Sequence, residues 1–193
     1  MNSILSEDYL KKLPRPIRKE PIITPKIMHF GPGAFFRSFV ASLIDDVNQK
    51  DVEKWGIIAV SLHSEDTFNK LAGQDLVFTA LSMSNTKKRA QQVSSISDFI
   101  VAKRHGQSVL AALSDDQIEI VSLTITEKGY YYNSGKRELD FCNQNIIDDL
   151  ENPEIPKTAI GFIVSGLRDR YLNGKAPFTI LSCDNLPNNG AIV

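Results

Sequence analysis

Lys26-Ile27-Met28-His29-Phe30-Gly31-Pro32-Gly33-Ala34-Phe35-Phe36-Arg37 sets a short apolar strand, a glycine turn and the start of an amphipathic helix in one line. That order suits the holding of a pyrophosphate. Gly31 can take a tight turn that a Cβ forbids, and Gly33 lets the backbone come close to a ligand. The helix expected from about Ala34 aims its unpaired N–H groups and its positive dipole end at the same spot. The turn is shorter than the full dinucleotide fingerprint, since Arg37 stands about where a third glycine or alanine would pack helix on strand. Taken alone, Gly-Pro-Gly between strand and helix fits an ordinary turn equally well.

Outward from that stretch, apolar strands alternate with helical patterns, which predicts an α/β fold with a doubly wound, mostly parallel sheet and helices on both faces. After the turn, Phe35, Phe39, Val40, Leu43, Ile44 and Val47 recur at helical spacing and predict one apolar face laid on the sheet. Trp55 to Leu62 reads as the second strand. Leu76 to Met83 and Arg89 to Ile96, separated by Ser84-Asn85-Thr86-Lys87-Lys88, predict an inserted strand hairpin. Ser97 to Leu113 reads as largely helical, and Ile118 to Thr126 as a strand buried on both faces, broken by Glu127-Lys128-Gly129. Ile160, Ile163, Val164, Leu167 and Tyr171 mark a helix after Thr158, with Arg168 and Arg170 near its negative end and Gly174 beyond. Phe178 to Cys183 supplies one more strand. Ser6 can cap a short leading helix that Pro14 and Pro16 end, so residues 1–25 read as a lead-in and residues 26–193 as one domain.

With 22 Lys+Arg against 23 Asp+Glu and a net charge of -1, the 193-residue chain has no general attraction for nucleic acid or an anionic membrane surface. No apolar run approaches the ~18 residues of a spanning helix, and the N-terminus lacks a signal-peptide core, so a cytoplasmic protein is expected. Cys142 and Cys183 lie far apart and outside any metal-ligand spacing, which predicts reduced thiols and no metal site.

In such sheets ligands collect outside the carboxyl ends of the strands. The second strand runs into His63-Ser64-Glu65-Asp66, where an acidic side chain can hydrogen-bond both adenosine ribose hydroxyls and repel a 2′-phosphate, favouring NAD over NADP. Equally, Ser64 can cap the next helix while Glu65 and Asp66 stabilise its first turn. Among the histidines, His29 reads as a core residue, His63 as a neighbour of the adenosine position and His105 as solvent-facing. Tyr130-Tyr131-Tyr132 reads as packing or a loop edge.

Four further stretches add to the opening one: Ala72-Gly-Gln-Asp75, Ser95-Ile-Ser-Asp98, Leu123-Thr-Ile-Thr-Glu-Lys-Gly-Tyr130 and Ser182-Cys-Asp-Asn-Leu-Pro-Asn-Asn-Gly190. Together they make most of the chain resemble the polyol-specific long-chain dehydrogenases, the family of mannitol 2-dehydrogenase and the fructuronate and tagaturonate reductases. The resemblance implies a Rossmann domain that binds NAD, followed in the family by a helical domain supplying a catalytic lysine, asparagine and histidine. Val193 closes the chain before those residues, so the C-terminal catalytic domain is the expected missing partner and no turnover is expected from this chain alone. Position by position, the resemblance implies that Gly31, Gly33, Ala34 and Phe35 cradle NAD, with Arg37 also at the cofactor. It implies that Glu65 and Asp66 hold the adenosine ribose, and that Thr126 and Glu127 stand at the strand end facing the nicotinamide. Asn185 matches an asparagine that helps polarise the substrate carbonyl. Many members carry histidines where this chain has Phe36 and Phe39.

The implied chemistry is hydride transfer between the nicotinamide and a sugar alcohol or hexuronate, of mannitol/fructose or mannonate/fructuronate type, with a base to take the hydroxyl proton. No residue of this chain suits that base. Two other readings stay open: a freestanding, non-catalytic dinucleotide-binding or regulatory module, and an interaction remnant whose turn binds nothing.

Overall fold

The computed structural model of the chain describes residues 11–84 and 87–193. In chain order the strands are β1 (Pro25–Phe30), β2 (Gly56–Ser61), β3 (Phe78–Met83), β4 (Lys88–Val93), β5 (Ile96–Val101), β6 (Ile120–Leu123), β7 (Tyr132–Asn133), β8 (Glu138–Leu139) and β9 (Thr179–Ser182). The helices are α1 (Ala41–Lys50), α2 (Asp66–Ala72), α3 (Ala102–Leu113), α4 (Thr126–Gly129), α5 (Gln144–Glu151), α6 (Ala159–Leu172) and α7 (Asn189–Ile192), and a π-helical turn, Phe36–Val40, leads into α1.

From Ile27 to Phe30 the consecutive side chains of β1 are apolar or neutral and buried, so both faces of the strand are covered, as a parallel sheet with crossover helices requires. Five strands run parallel in the order β5-β2-β1-β6-β9. Met28, Phe30, Val60, Val121 and Leu123 face α3 and α6, where Val109, Leu113, Phe162 and Ile163 meet them. Ile27, Ile57, Ala59 and Phe99 face the other way, onto Phe36, Ala41, Leu71 and the β3–β4 hairpin residues Phe78 and Val93. Strand order reverses between β1 and β6, which is the switch point where open α/β sheets form their ligand crevice.

The doubly wound sheet and the inserted antiparallel hairpin match the sequence reading. Two segments differ in extent. Ser97 to Leu113 is not one helix: β5 occupies its first part, because Ile96, Phe99, Ile100 and Val101 are buried in the sheet beside β2, and the helix starts at Ala102. The sixth strand is shorter than Ile118 to Thr126, since Thr126 already opens α4. The leading helix at Ser6, and Asn85 and Thr86 of the hairpin turn, lie outside the described residues.

The largest correction concerns the helix after the glycine turn. Phe39 and Leu43 are 52% and 49% exposed, and Phe35 and Val47 share their outward face, while only Val40 and Ile44 of the expected stripe pack against the sheet. The inward face carries Ser42, Asp45 and Asn48 instead. Their polarity is satisfied by surrounding loops: Asp45 accepts from the Ser94 amide at 2.8 Å, and Asn48 exchanges hydrogen bonds with the Trp55 backbone at 2.7 and 2.9 Å. Helical periodicity locates an apolar stripe, but it does not report which face the loops will claim. Phe39→Ser and Leu43→Ser are therefore expected to change unfolding free energy by less than about 0.5 kcal/mol in urea titrations. A loss above about 2 kcal/mol would place the stripe in the core after all.

Arg170, expected only near a helix end, is 2% exposed. Its guanidinium donates to the carbonyls of Leu113 (2.7 Å), Ala176 (2.9 Å) and Ile118 (2.8 Å), and also to Asp115. One cation thus satisfies the chain reversal between α3 and β6.

Candidate cofactor site at the strand ends

Pairing registers carry the candidate residues to one edge of the sheet. Ile100, Val60, Phe30, Leu123 and Ser182 form a single row across the five strands. Gly31, Thr124 and Cys183, which follow Phe30, Leu123 and Ser182, leave the sheet together at its carboxyl edge, while Ser61 and Val101 pair for one residue more. Gly31 donates to Val60 O (3.0 Å), Thr124 to Phe30 O (2.9 Å) and Cys183 to Leu123 O (2.8 Å), so the sheet ladder runs directly into the loops.

At the centre of that edge, Gly31 has φ +89°, and a Cβ there would be driven into the Thr124 carbonyl, whose carbon would lie only 2.8 Å away. Gly33 differs: the nearest heavy atom to a Cβ would be Gly31 O at 3.8 Å, so its bare side faces open space. The Gly33 amide closes the turn on Gly31 O (2.6 Å) and the Arg37 amide returns to Gly33 O (3.1 Å). Among the described residues, the amides of Ala34, Phe35 and Phe36 have no backbone acceptor. Ala34 and Phe35 are exposed while Phe36 is fully buried, so two of these donors, at a helix start beside an open glycine, form an anion cradle with space in front of it and the third lies beneath them. Arg37 folds back over the turn, donating to Pro32 O at 2.7 Å and to Thr67 Oγ1 at 3.4 Å, and its partial burial lowers its pKa.

Beneath the turn, His29 is fully buried and its ring stacks on Phe36 at 3.7 Å. Thr124 Oγ1 donates to Gly31 O at 2.7 Å, so at 2.8 Å it receives the Nε2 proton of His29, leaving Nδ1 to accept from Ser122 Oγ at 2.8 Å. Burial holds the ring neutral, which is what leaves Nδ1 as the acceptor. Burial pushes its pKa down to about 3. His29 is the core residue the sequence suggested, and it also steadies the glycine turn through Thr124.

Toward β2, Glu65 is half-buried and accepts from Arg104 Nε at 2.6 Å, while Asp66 is exposed. Ser64 Oγ accepts from the Asp66 amide at 3.1 Å, so the capping role expected for Ser64 is present. A cavity of about 660 Å³ lies alongside, lined by Leu62, His63, Ala102, Gln107, Pro156 and Phe162. His105 is exposed. The larger cavity, about 820 Å³, sits at the opposite edge among Ile23, Thr24, Asn48 and Gln92, at the amino ends of the strands.

Toward β9, Thr126, Glu127 and Asn185 are exposed on the loops that follow β6 and β9. Thr126 adopts φ +63°, a left-handed conformation that is unusual for a β-branched residue. Asp184 accepts from the amides of Ile125 (2.9 Å) and Thr126 (3.0 Å) and from Tyr130 Oη (2.7 Å). Tyr130 is 2% exposed, and burial raises its pKa.

The candidate residues thus fall on one edge in three groups: the turn at its centre, Glu65 and Asp66 on the β2 side, and Thr126, Glu127 and Asn185 on the β9 side. Sequence reasoning missed Arg104, Thr124 and Asp184. Thr124 and Asp184 lie inside two of the quoted stretches, but hydrogen bonds across 93 to 95 positions for Thr124 and 58 to 59 for Asp184 leave no local pattern. Among the described residues no group of three His, Cys, Asp or Glu side chains could hold a metal ion, and no helix is long and apolar enough to cross a membrane.

Comparison with known proteins bears on the same region. Residues 25–193 match the family model described as the mannitol dehydrogenase Rossmann domain. A mannitol 2-dehydrogenase of Aspergillus fumigatus is 39% identical over 171 residues, 86% of this chain and 34% of that protein. A polyol:NADP oxidoreductase of Gluconobacter oxydans is 34% identical, over 98% of this chain and 41% of its own length. The solved mannitol 2-dehydrogenase of Pseudomonas fluorescens, a ternary complex with NAD and D-mannitol, superposes with a TM-score of 0.82 at 36% identity, covering 97% of this chain and 40% of that one. The chain spans about two-fifths of the length of such relatives.

Proposed function

Because the chain belongs to the mannitol dehydrogenase family through its Rossmann domain, we propose that it is the NAD-binding part of an oxidoreductase moving a hydride between NAD(H) and a polyol of the mannitol type. The observation that carries this reading is the cradle at the switch point: the exposed amides of Ala34 and Phe35, without backbone acceptors among the described residues, beside a glycine open to space. That chemistry fits a diphosphate. Gly31, Gly33, Ala34 and Phe35 would hold it, with the cation of Arg37 at hand. Residues 26–193 act as the cofactor-binding unit behind a lead-in of residues 1–25.

A dinucleotide lying across the switch point sets its adenosine half over β2 and β5 and its nicotinamide half over β6 and β9. Glu65, steadied by Arg104, and Asp66 then serve the adenosine ribose. Thr126 and Glu127 flank the nicotinamide. Asn185, an exposed side-chain amide on the next loop, is the donor for the substrate oxygen where negative charge develops. NAD supplies the hydride carrier, and this chain supplies alignment. The general base belongs to the remaining three-fifths of the family polypeptide. The free thiols of Cys142 and Cys183 are in keeping with a cytoplasmic setting.

Titrating the chain with NADH while following nicotinamide fluorescence tests the reading. Saturable binding is expected, with NADPH weaker by roughly tenfold because Glu65 and Asp66 together outweigh the single Arg104 cation beside its 2′-phosphate. Glu65→Gln combined with Asp66→Asn is expected to narrow that ratio. Absence of binding to either dinucleotide would overturn the proposal.

A further inference from the structure

Two of the quoted stretches, Leu123–Tyr130 and Ser182–Gly190, are far apart in the chain and meet through one side chain. Asp184 takes the amides of Ile125 and Thr126 on its two carboxylate oxygens, and Tyr130 Oη reaches the same carboxylate. Tyr130 Oη also lies 2.6 Å from Ser182 Oγ. On the far side, Asn189 Nδ2 donates to the carbonyls of Ser182 (3.2 Å) and Asp184 (2.9 Å), closing the second loop on itself.

The arrangement opposes a definite cost. A left-handed threonine is disfavoured by its branched Cβ, by about 1–3 kcal/mol, and holds only where surroundings over-determine it. Asp184 provides that restraint through two charge-assisted bonds to adjacent amides, which are stronger than neutral ones. Its immediate neighbour is Asn185.

We propose that Asp184 is a positioning residue: it locks the Thr126–Glu127 loop to the Asn185 loop and so shapes the nicotinamide half of the site. The inference rests on the NAD-binding reading above. Without the carboxylate, Thr126 relaxes toward an ordinary backbone conformation and the loop after β6 parts from the loop after β9. The adenosine position is built on β2 and β5, and the diphosphate turn leans on β1 and on Thr124, which its own amide bond to Phe30 O holds independently of Asp184.

Calorimetric titration of the 193-residue chain with NADH and with ADP-ribose, which lacks the nicotinamide, separates the possibilities. Asp184→Asn and Asp184→Ala are expected to weaken NADH by about tenfold while ADP-ribose stays within about twofold. A general loss of structure would weaken both ligands alike. Tyr130→Phe, which leaves the two amide bonds in place, is expected to keep the parent ratio of the two affinities and remains readable if the Asp184 variants fail to fold. Unchanged NADH affinity in the Asp184 variants, parallel loss of both ligands, or a tenfold selective loss in Tyr130→Phe overturns the inference while the NAD-binding reading stands. If the parent chain binds neither NADH nor ADP-ribose, that reading falls first and the positioning role with it.

Discussion

Gly31→Ala is expected to cost the fold at least about 3 kcal/mol and to abolish NADH binding, whereas Gly33→Ala keeps the fold and loses the ligand. The contrast follows from what each new methyl would meet. At Gly31 the backbone holds φ +89° and the Cβ direction is filled by the Thr124 carbonyl, so neither the chain conformation nor the neighbouring strand can stay as it is. Backbone cannot swing aside as a flexible side chain can. Given a typical domain stability of about 5–15 kcal/mol, such a loss is a large fraction of the whole. At Gly33 the nearest atom to a Cβ is 3.8 Å away, an ordinary contact, so unfolding in urea is expected to match the parent within about 1 kcal/mol. The methyl then stands in the space before the Ala34 and Phe35 amides, and NADH affinity is expected to fall by about tenfold or more. Equal NADH affinity in Gly33→Ala and the parent would remove the diphosphate from that space.

Acid is expected to weaken the fold through His29, by about 2 kcal/mol between pH 7 and pH 5. Folding holds the ring neutral, its pKa pushed down to about 3 by burial from an ordinary value of 6.5. Between those values the unfolded chain binds the proton and the folded chain does not, so stability falls as pH drops through this window. Above pH 6.5 the contribution is fully present. Protonation also turns Nδ1 into a donor, so the Ser122 hydroxyl must reverse its role, while the Nε2–H to Thr124 keeps its direction. Urea titrations at pH 5 and pH 7 measure the slope. His29→Asn, which retains the exposed His63 and His105, is expected to be less stable at pH 7 and to show a flatter dependence. Identical stability of the parent chain at the two pH values would contradict the neutral, buried assignment.

Much of the architecture was legible from local pattern. Ile27 to Phe30 running into glycines, and the β-branched run before Thr124, report both strand identity and burial on two faces, because a parallel sheet writes that requirement into consecutive residues. Local pattern reads Ser97 to Val101 of the edge strand β5 as helix because they abut Ala102–Leu113 without an intervening turn residue. The outward stripe of Phe35, Phe39, Leu43 and Val47 was assigned to the sheet because periodicity carries no sign. Only the tertiary partners of Asp45 and Asn48 decide it.

At the site, Gly31 and Gly33 announced themselves by residue type, and the structure divides their roles between backbone geometry and open space. Glu65 was visible as an acid after a strand, but its Arg104 partner, thirty-nine positions on, was not. Asp184 stood in the sequence beside the better-marked Asn185. Its part in holding Thr126 appears only when β6 and β9 are laid side by side.

If the main-chain amides past β1 grip the diphosphate of a nicotinamide dinucleotide, as proposed, backbone amide chemical shifts recorded during NADH titration register that grip residue by residue. The largest shifts are expected at Gly33, Ala34, Phe35 and Phe36, with a second group at Ile125 and Thr126. Shifts confined to Asn48 and Gln92, at the larger cavity on the opposite edge, with the turn amides unmoved, would contradict it.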